Sequence, residues 1–279
     1  MSSFLVRLRS SIILMAITIL CMVLGGDLLF AAVIAISLIG MFELFRVLHF
    51  EKSPLAAVAY AACLVYYGMI HVRHPMPREY DFMMLVMVLI FLLIVYVLAF
   101  PKYQSEQVTM AFFGLIYVAV MLSFIYLVRE ATAGRYMVWL IFVGSWGADT
   151  CAYCVGVLIG KHKIPGRLHD LSPKKTIEGC LGGIIGAALI GLIFGMIFRH
   201  DLFLFRNPAL ACMLIGGCSA ILSEIGDLAA SAIKRNHGIK DYGTLIPGHG
   251  GIMDRFDSVI FTSPVVYILV QILKMEIKK

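Results

Sequence analysis

Residues 82–100 read FMMLVMVLIFLLIVYVLAF and contain no charged side chain. A helix needs about 20 apolar residues to cross the hydrocarbon core of a bilayer, which is about 30 Å thick. Uncharged runs of similar length recur along the whole chain, so the apolar residues are not confined to one anchor. The stretch therefore predicts a helical protein that crosses a membrane several times.

The overall composition supports the same fold class. Hydrophobic residues make up 61% of the 279 residues and charged residues 14%, and the mean hydropathy is +0.93. An average soluble domain is about 45 to 50% apolar and about 25% charged. A soluble fold could not bury so many apolar side chains, and no separate soluble domain is expected.

Nine apolar segments are predicted to be transmembrane helices, which makes the fold all-α and polytopic. They cover approximately residues 10–26, 28–43, 54–70, 82–100, 107–128, 136–159, 179–198, 208–233 and 257–273. The first two are short, and at about 1.5 Å per residue the second barely matches the bilayer core, so a shallow hairpin is an alternative there. We interpret residues 1–279 as one membrane domain, with N-terminal spans in 1–130 and the spans and cytoplasmic loops that carry the candidate functional residues in 131–279.

Basic residues concentrate in two connections and indicate the orientation in the membrane. The connections after spans six and eight contain Lys161, Lys163, Arg167, Lys174 and Lys175, and Lys234, Arg235, Lys240 and Arg255. Because cytoplasmic loops are enriched in Lys and Arg, both connections are predicted to be cytoplasmic, with the N-terminus inside and the C-terminus outside. The C-terminal Lys274, Lys278 and Lys279 oppose this orientation, but two strongly basic loops outweigh them.

Three acidic residues lie inside the predicted spans: Asp149 in the sixth, and Glu224 and Asp227 in the eighth. An acidic side chain costs about 2.5 to 3.5 kcal/mol at the centre of a span, so such residues are functional candidates. Helical periodicity places carboxylates and cations on one face of span eight, formed by Glu224, Asp227, Ser231, Lys234 and Arg235. A salt-bridge ladder within the membrane is the alternative to a functional site.

A glycine-rich turn precedes the last span. After Lys240 and Asp241 the chain reads Pro247-Gly248-His249-Gly250-Gly251 and then enters a predicted helix. The backbone N–H groups of such a turn and the positive end of the helix dipole attract phosphate oxygens. This segment therefore predicts a phosphate-binding loop.

Asp254 and Asp257 open the last span one turn apart, with Arg255 between them. Carboxylates repel a nearby phosphate unless a hard cation lies between them, and Mg²⁺ typically binds one or two carboxylates plus substrate phosphates. Helix capping would explain either aspartate alone but not the neighbouring arginine, histidine and glycines. The segment therefore predicts Mg²⁺ and phosphate together.

A second polar cluster begins at Asp149. It continues through Tyr153, Gly156, Gly160 and Lys161 to the turn Ser172-Pro173-Lys174-Lys175-Thr176, followed by Glu178 and Gly179. The positive-inside rule alone would explain Lys161, Lys163 and Arg167. Paired lysines and hydroxyls suit a polyphosphate, so the Ser-Pro-Lys-Lys-Thr turn indicates a binding role.

Small residues recur every four positions in the seventh span, at Gly179, Gly183, Ala187, Gly191 and Gly195. Such a ridge lets another helix approach closely. We favour packing within the monomer over a dimer interface, although the pattern serves both.

The run from Ser231 to Asp257, SAIKRNHGIKDYGTLIPGHGGIMDRFD, resembles the signature of the phosphatidate cytidylyltransferase (CDP-diglyceride synthase) family. The matching positions are Ser231, Lys234-Arg235, Lys240-Asp241, Gly243, Ile246-Pro247, His249-Gly250-Gly251, Asp254-Arg255 and Asp257. The upstream cluster from Asp149 to Thr176 is similar to the bacterial branch. The first five spans carry only the hydrophobic pattern.

The resemblance implies an enzyme that condenses CTP with phosphatidic acid to form CDP-diacylglycerol and pyrophosphate, with Mg²⁺ as cofactor. It implies a multi-pass protein in the lipid bilayer of the bacterial inner (plasma) membrane, with a cytoplasmic active site and a role in phospholipid biosynthesis. A homodimer is compatible with it, and no nucleic-acid partner is expected.

For this reaction we expect Asp227 and Asp254 to bind Mg²⁺, with Asp149, Glu224 and Asp257 as further or outer ligands. The expected phosphate clamps are Lys174, Lys175, Lys234, Arg235 and Arg255. The remaining expected substrate contacts are Ser172, Ser231, Lys240, Asp241, His249, Gly250 and Gly251.

Two other functions remain open from the residues alone. Intramembrane carboxylates paired with cations also occur in transporters and ion pathways, although we find no inverted repeat. A CTP-using lipid kinase would need the same metal and nucleotide contacts but would transfer the γ-phosphoryl group.

Overall fold

Helices account for most of the protein, as a computed structural model shows for residues 3–72 and 79–274. Lys278 and Lys279 and the side chains of Arg7 and Arg167 lie outside what the structure describes. No strand occurs in the described ranges, where isolated β-bridges join Lys163 to Thr176 and Ile246 to Gly250. The all-α prediction is confirmed.

The helices follow the predicted spans closely. They are α1 Ser3–Leu24, α2 Gly26–Arg46, α3 Pro54–His71, α4 Glu79–Leu98, α5 Ser105–Gly114, α6 Met121–Glu130, α7 Gly134–Phe142, α8 Ala148–Ile159, α9 Arg167–Leu171, α10 Ile177–Ile197, α11 Pro208–Asn236 and α12 Met253–Leu273. The π-helical segments Leu115–Val120 and Val143–Gly147 join α5 to α6 and α7 to α8 into continuous spans.

In the described part of the chain, eight of these spans are long and apolar enough to cross a membrane. The first helix contains a shorter apolar stretch, Leu8–Leu24. The expectation of a short second span is wrong, because α2 has 21 residues and continues to Arg46. At about 1.5 Å per residue this length matches a bilayer core. The protein is a multi-pass membrane protein.

Side-chain caps fix where several helices begin. The Ser53 hydroxyl accepts a hydrogen bond from the Ala56 N–H at 3.2 Å, and Thr176 accepts one from Gly179 at 3.1 Å. Asn207 Oδ1 accepts one from the Leu210 N–H at 3.2 Å. These contacts satisfy backbone donors that have no partner within the first turn of a helix.

The helices pack into two compact units. One contains Met1–Ser123 and Asp241–Asp254, and the other contains Phe124–Lys240 and Arg255–Lys279. The glycine-rich segment, Asp241–Asp254, therefore groups with the N-terminal helices. The sequence analysis placed this segment with the spans of 131–279, because a boundary drawn along the chain cannot show a long-range association.

In the first unit, buried side chains of α2 and α3 form the core. The Tyr67 hydroxyl lies 2.8 Å from Ser37 Oγ and donates to the Ala119 carbonyl at 3.0 Å. Phe45 stacks on Phe50 with 4.8 Å between ring centroids. These contacts connect α2, α3 and the π-helical segment of the fifth span.

In the second unit, α10 packs between α8 and α11. All five small residues of its ridge, from Gly179 to Gly195, are buried. A Cβ atom at Gly183 would lie 2.9 Å from the Ala148 carbonyl oxygen, and one at Gly191 would collide with the Cys212 carbonyl. The prediction that this ridge packs within the monomer is confirmed.

Candidate active site

Lysine and carboxylate side chains line a cavity of about 500 Å³ in the second unit. Asp149 comes from the first turn of α8, and Glu224 comes from α11. Lys163, Lys174 and Lys175 come from the connection between α8 and α10. The structure thus brings the upstream cluster predicted from the sequence together with an acidic residue of span eight.

Glycines allow the backbone to approach closely at this cavity. A Cβ atom at Gly160 would lie 2.7 Å from Thr176 Oγ1, and one at Gly179 would lie 3.0 Å from the Ala152 carbonyl oxygen. Both distances are shorter than normal van der Waals contacts, so larger residues would push α8 and α10 apart. These glycines bring the lysine-bearing turn close to α8.

Lys175 connects this turn to α11. Its ammonium group pairs with the Glu224 carboxylate and lies 2.7 Å from Asp227 Oδ2. Burial opposes the charged form of Lys175, but the nearby Asp227 and Glu224 carboxylates raise its pKa above the ordinary lysine value. Lys175 therefore stays protonated at neutral pH.

The cation that pairs with Glu224 and Asp227 comes from a distant turn and not from their own helix. The sequence placed Lys234 and Arg235 on the same face of the helix as Glu224 and Asp227. Arg235 is instead exposed and donates to the Ile239 carbonyl at 3.3 Å, at the end of α11. Periodicity could identify a polar face of α11 but could not reveal a partner from a distant turn.

Further charges of the second unit act on the same carboxylates. The charges of Glu224, Asp227, Lys175 and Arg255 act on Asp149. Asp257 is repelled by the charges of Asp227 and Asp149 and attracted by that of Lys234. Lys234 is only 9% exposed.

The guanidinium of Arg255 has an unused donor. Its Nε atom is buried, and no described residue accepts a hydrogen bond from it. Buried polar groups are normally paired, so this donor suits an anionic oxygen.

The loop between α8 and α10 is folded back on itself. Glu178 accepts hydrogen bonds from the Lys161 and His162 N–H groups, both at 3.2 Å, and its carboxylate lies 2.5 Å from His162 Nδ1. Lys163 Nζ donates to the Lys174 carbonyl at 3.4 Å. Lys163 therefore contributes to the cavity, whereas Lys161 is exposed and outside its lining.

Other predicted contacts lie outside this lining. The Ser172 carbonyl accepts a hydrogen bond from the Lys175 N–H at 3.2 Å, which closes the turn that presents Lys174 and Lys175. Ser231 is half-buried on α11, and Lys240 is exposed. Ser172 thus shapes the lysine turn through its backbone.

The glycine-rich segment of the first unit forms a tight turn. The Ile246 N–H donates to the Gly250 carbonyl at 2.8 Å, and the His249 N–H donates to the Ile246 carbonyl at 2.9 Å. Gly248 and Gly250 have φ angles of 79° and 87°, a region that favours glycine. Asp241, at the start of the segment, is exposed.

Asp254 is buried beneath this turn. Its Oδ2 accepts hydrogen bonds from the Tyr242 N–H at 2.8 Å and the Gly251 N–H at 2.9 Å. The Gly251 N–H, which the sequence assigned to a phosphate, thus donates to Asp254. Asp254 thus braces the turn that precedes α12, and its predicted metal ligation stays a prediction.

Glu43 is a residue of this region that the sequence analysis missed. It lies on α2, is 4% exposed, and accepts hydrogen bonds from the Ile252 N–H at 3.1 Å and the Met253 N–H at 2.9 Å. The count of three acidic residues inside the spans is therefore wrong: Glu43 is the last residue of the predicted second span, and α2 continues past it to Arg46. A glutamate between Phe42 and Leu44 in an apolar run was the available signal.

The first helix also contacts the glycine-rich segment. Ser10 Oγ donates to the Pro247 carbonyl at 2.9 Å, and Ser11 Oγ lies 3.0 Å from His249 Nε2. The predicted role of His249 against nucleotide phosphates stays a prediction.

The donor chemistry fits a hard divalent cation. Asp149, Glu224, Asp227 and Asp257 offer carboxylate oxygens, and their mutual repulsion favours a cation among them. Among residues 3–72 and 79–274, no group of three or more His, Cys, Asp or Glu side chains is arranged to hold a metal. Mg²⁺ typically uses only one or two carboxylates, together with waters and substrate phosphates, so a preformed cage is not required.

The chain is similar in sequence to known cytidylyltransferases. A cytidylyltransferase family model matches residues 5–273. A phosphatidate cytidylyltransferase of Bacillus subtilis (strain 168) is 32% identical over 269 residues, which cover 92% of this chain and 94% of the relative. One of Staphylococcus haemolyticus is 29% identical and covers 95% of this chain and 98% of its own. One of Synechocystis is 46% identical over 134 residues, or 48% of this chain and 43% of its own.

Proposed function

This chain belongs to the cytidylyltransferase family, and on that premise we propose that it condenses CTP with phosphatidic acid to give CDP-diacylglycerol and pyrophosphate. It is a membrane-embedded nucleotidyltransferase. The observation that carries the choice of substrates is the cavity in which Lys163, Lys174 and Lys175 face the carboxylates of Asp149 and Glu224. Such a site can hold a polyanion and the cation that accompanies it.

The reaction requires positioning more than proton transfer. An oxygen of the phosphatidate phosphate attacks the α-phosphorus of CTP, a new P–O bond forms, and the bond to the β-phosphate breaks as pyrophosphate leaves. The attacking oxygen is already anionic at neutral pH, so no general base is needed. Phosphoryl-type transfer depends mainly on alignment and on neutralising charge on the oxygens.

The basic residues supply this neutralisation. Lys174 and Lys175 bind phosphate oxygens from the turn before α10, and the buried Nε of Arg255 donates to another. Lys175 exchanges its contacts with Glu224 and Asp227 for phosphate oxygens when the substrate binds. Lys234 balances the charge of Asp257, and His249 with Gly250 and Gly251 shapes the nucleotide-binding turn.

For Mg²⁺ we keep Asp227 and Asp254 as ligands, with Asp149, Glu224 and Asp257 as further or outer ones. A bound Mg²⁺ would withdraw charge from the phosphate oxygens. These carboxylates would hold it, and Glu224 and Asp227 also pair with Lys175.

The proposed location is the bacterial inner membrane with the site on the cytoplasmic face, where CTP is present. The basic connections after the sixth and eighth spans support this orientation. Phosphatidate would enter from the same leaflet. A homodimer is compatible with the proposal, but the ridge of α10 is buried within the chain and would not form its interface.

The decisive experiment follows two labels in the purified, detergent-solubilised protein supplied with phosphatidate and Mg²⁺. Label in the cytidine ring of CTP should appear in lipid, whereas label in the γ-phosphate should leave as pyrophosphate. Transfer of the γ-label to lipid would instead indicate a lipid kinase. Absence of both labels from lipid would overturn the proposal and favour a transport function.

A further inference from the structure

We infer that Glu43 is a positioning residue: its buried carboxylate fixes the backbone at the start of α12 and so sets the place of Asp254. The inference rests on the proposed function for its effect on catalysis. The contact itself does not depend on that function.

The geometry of Glu43 is that of a cap supplied by a distant helix. One carboxylate oxygen accepts the Ile252 N–H at 3.1 Å and the other accepts the Met253 N–H at 2.9 Å. Met253 is the first residue of α12, so these N–H groups lack partners within their own helix. A carboxylate there also interacts favourably with the positive end of the helix dipole.

The surrounding glycines are fitted to this carboxylate. A Cβ atom at Gly243 or Gly251 would collide with the Glu43 carboxylate oxygens. Two backbone segments therefore pass directly against the side chain. Both belong to the glycine-rich segment, so Glu43 holds its beginning and its end.

Arg46, one turn further along α2, holds the same segment by a different contact. Its guanidinium donates to the Tyr242 carbonyl at 2.5 Å, while the Tyr242 N–H donates to Asp254. Both the N–H and the carbonyl group of Tyr242 are thus hydrogen-bonded. Together these contacts connect α2 to Asp254 through short, charge-assisted hydrogen bonds.

Packing alone does not explain an acidic residue at this position. Leu44 and Phe45 beside it are fully buried and fill the space around α2 with apolar atoms. A carboxylate inside an apolar span is costly, whereas a leucine is not, so an acidic residue here needs a compensating interaction. The two carboxylate oxygens of Glu43 accept hydrogen bonds from the backbone N–H groups of the residues that directly precede Asp254.

The test compares Glu43→Gln with the wild type by hydrogen exchange and by Mg²⁺ dependence. Gln keeps the size of the side chain but can accept only one of the two N–H bonds. We expect the Ile252 and Met253 amides to exchange about 10- to 100-fold faster, because a hydrogen bond to a charged group is lost. We also expect the Mg²⁺ concentration for half-maximal activity to rise about 10- to 100-fold, as for other residues that orient a ligand.

Gly243→Ala provides a second route, because its methyl group should displace the Glu43 carboxylate and give the same two changes. Gly68→Ala is the matched control, since nothing lies within 4 Å of the added Cβ. Glu106→Gln, an exposed glutamate of the same unit, controls for loss of one charge. Neither control should change either measurement by more than about twofold.

Three results would overturn the inference. They are unchanged exchange at Ile252 and Met253 in Glu43→Gln, faster exchange spread evenly over α2 and α3, and an unchanged Mg²⁺ requirement. If the wild type forms no CDP-diacylglycerol, the proposed function fails, and the exchange experiment still decides whether Glu43 positions the segment.

Discussion

The Lys175 ammonium group lies 2.7 Å from Asp227 Oδ2 and also pairs with Glu224. A turn before α10 and the middle of α11 are therefore joined by charge. The same lysine lines the cavity, so phosphate and carboxylate compete for it under the proposed function.

Asp227→Asn and Asp254→Asn should each leave a folded membrane protein that has lost nearly all lipid cytidylylation. Asn keeps the shape of the side chain, so the loss is electrostatic. The measurement is CDP-diacylglycerol formation in detergent at saturating Mg²⁺, with the exposed Glu106→Gln as control. Activity above about a tenth of wild type in both variants would contradict metal ligation, since residues behind a ligand commonly cost only about 10- to 100-fold.

Lys174→Gln, Lys175→Gln and Arg255→Gln should each lower kcat/KM by about 10- to 150-fold, as loss of a charge-assisted phosphate contact does. Lys161→Gln is the control, because Lys161 is exposed outside the cavity lining and should change kcat/KM by less than about threefold. Varying CTP and phosphatidate separately assigns each residue to a substrate. Equal, modest losses in all four variants would leave these residues as topology determinants.

Lys163→Gln separates the two lysines that the sequence could not distinguish. Lys163 lines the cavity and contacts the Lys174 carbonyl, so we expect a larger loss of kcat/KM than for Lys161→Gln. Steady-state kinetics on both variants at matched protein levels provides the comparison. Equal values would place Lys163 outside the substrate contacts.

Arg255→Lys retains the charge but removes the planar fork of the guanidinium. If the buried Nε donates to a phosphate oxygen, this change should cost nearly as much as Arg255→Gln. The same kinetic assay measures both. Near-wild-type activity of Arg255→Lys would show that only a positive charge is needed there.

Pro173→Cys and Thr244→Cys should resist a membrane-impermeant thiol reagent in intact cells and react after the membrane is opened. Both positions are exposed and adjoin the predicted cytoplasmic connections. Arg206→Cys, in the connection after the seventh span, should react in intact cells. The exposed Cys154 and Cys218 are replaced by Ser in the background chain. The opposite labelling pattern would reverse the orientation and separate the site from cytosolic CTP.

Gly191→Ala should destabilise the second unit, because its Cβ would collide with the Cys212 carbonyl. Overpacking of this kind typically costs about 1 to 3 kcal/mol. Gly147→Ala is the control, since its nearest contact would be an ordinary 3.6 Å from the Phe142 carbonyl oxygen. Thermal unfolding in detergent should show a lower Tm for Gly191→Ala only. Equal Tm values would mean that α10 and α11 can move apart to accommodate the methyl group without loss of stability.

Hydropathy and spacing determined the helical membrane fold and most of the polar candidates. Every predicted span corresponds to a helix or a pair of joined helices in the described residues, because about 20 apolar residues can satisfy their backbone in a bilayer only as a helix. The four-residue rhythm of small residues in α10 correctly predicted packing within the chain. These features are local, so a single segment contains all the information needed.

Tertiary structure alone decided which charges meet. Lys175 pairs with Asp227 across 52 residues of sequence, and Glu43 binds the N–H groups of residues 252 and 253. Helical periodicity reports only the neighbours on one helix, so it placed Lys234 and Arg235 on the face of Glu224 and Asp227 but could not reveal Lys175 as their partner or Glu43 as that of residues 252 and 253. A largely buried charge takes the partner that packing brings within hydrogen-bond distance, because an unpaired charged group is costly there. The sequence therefore determined which residues are polar, and the packing of helices decided which of them form a site.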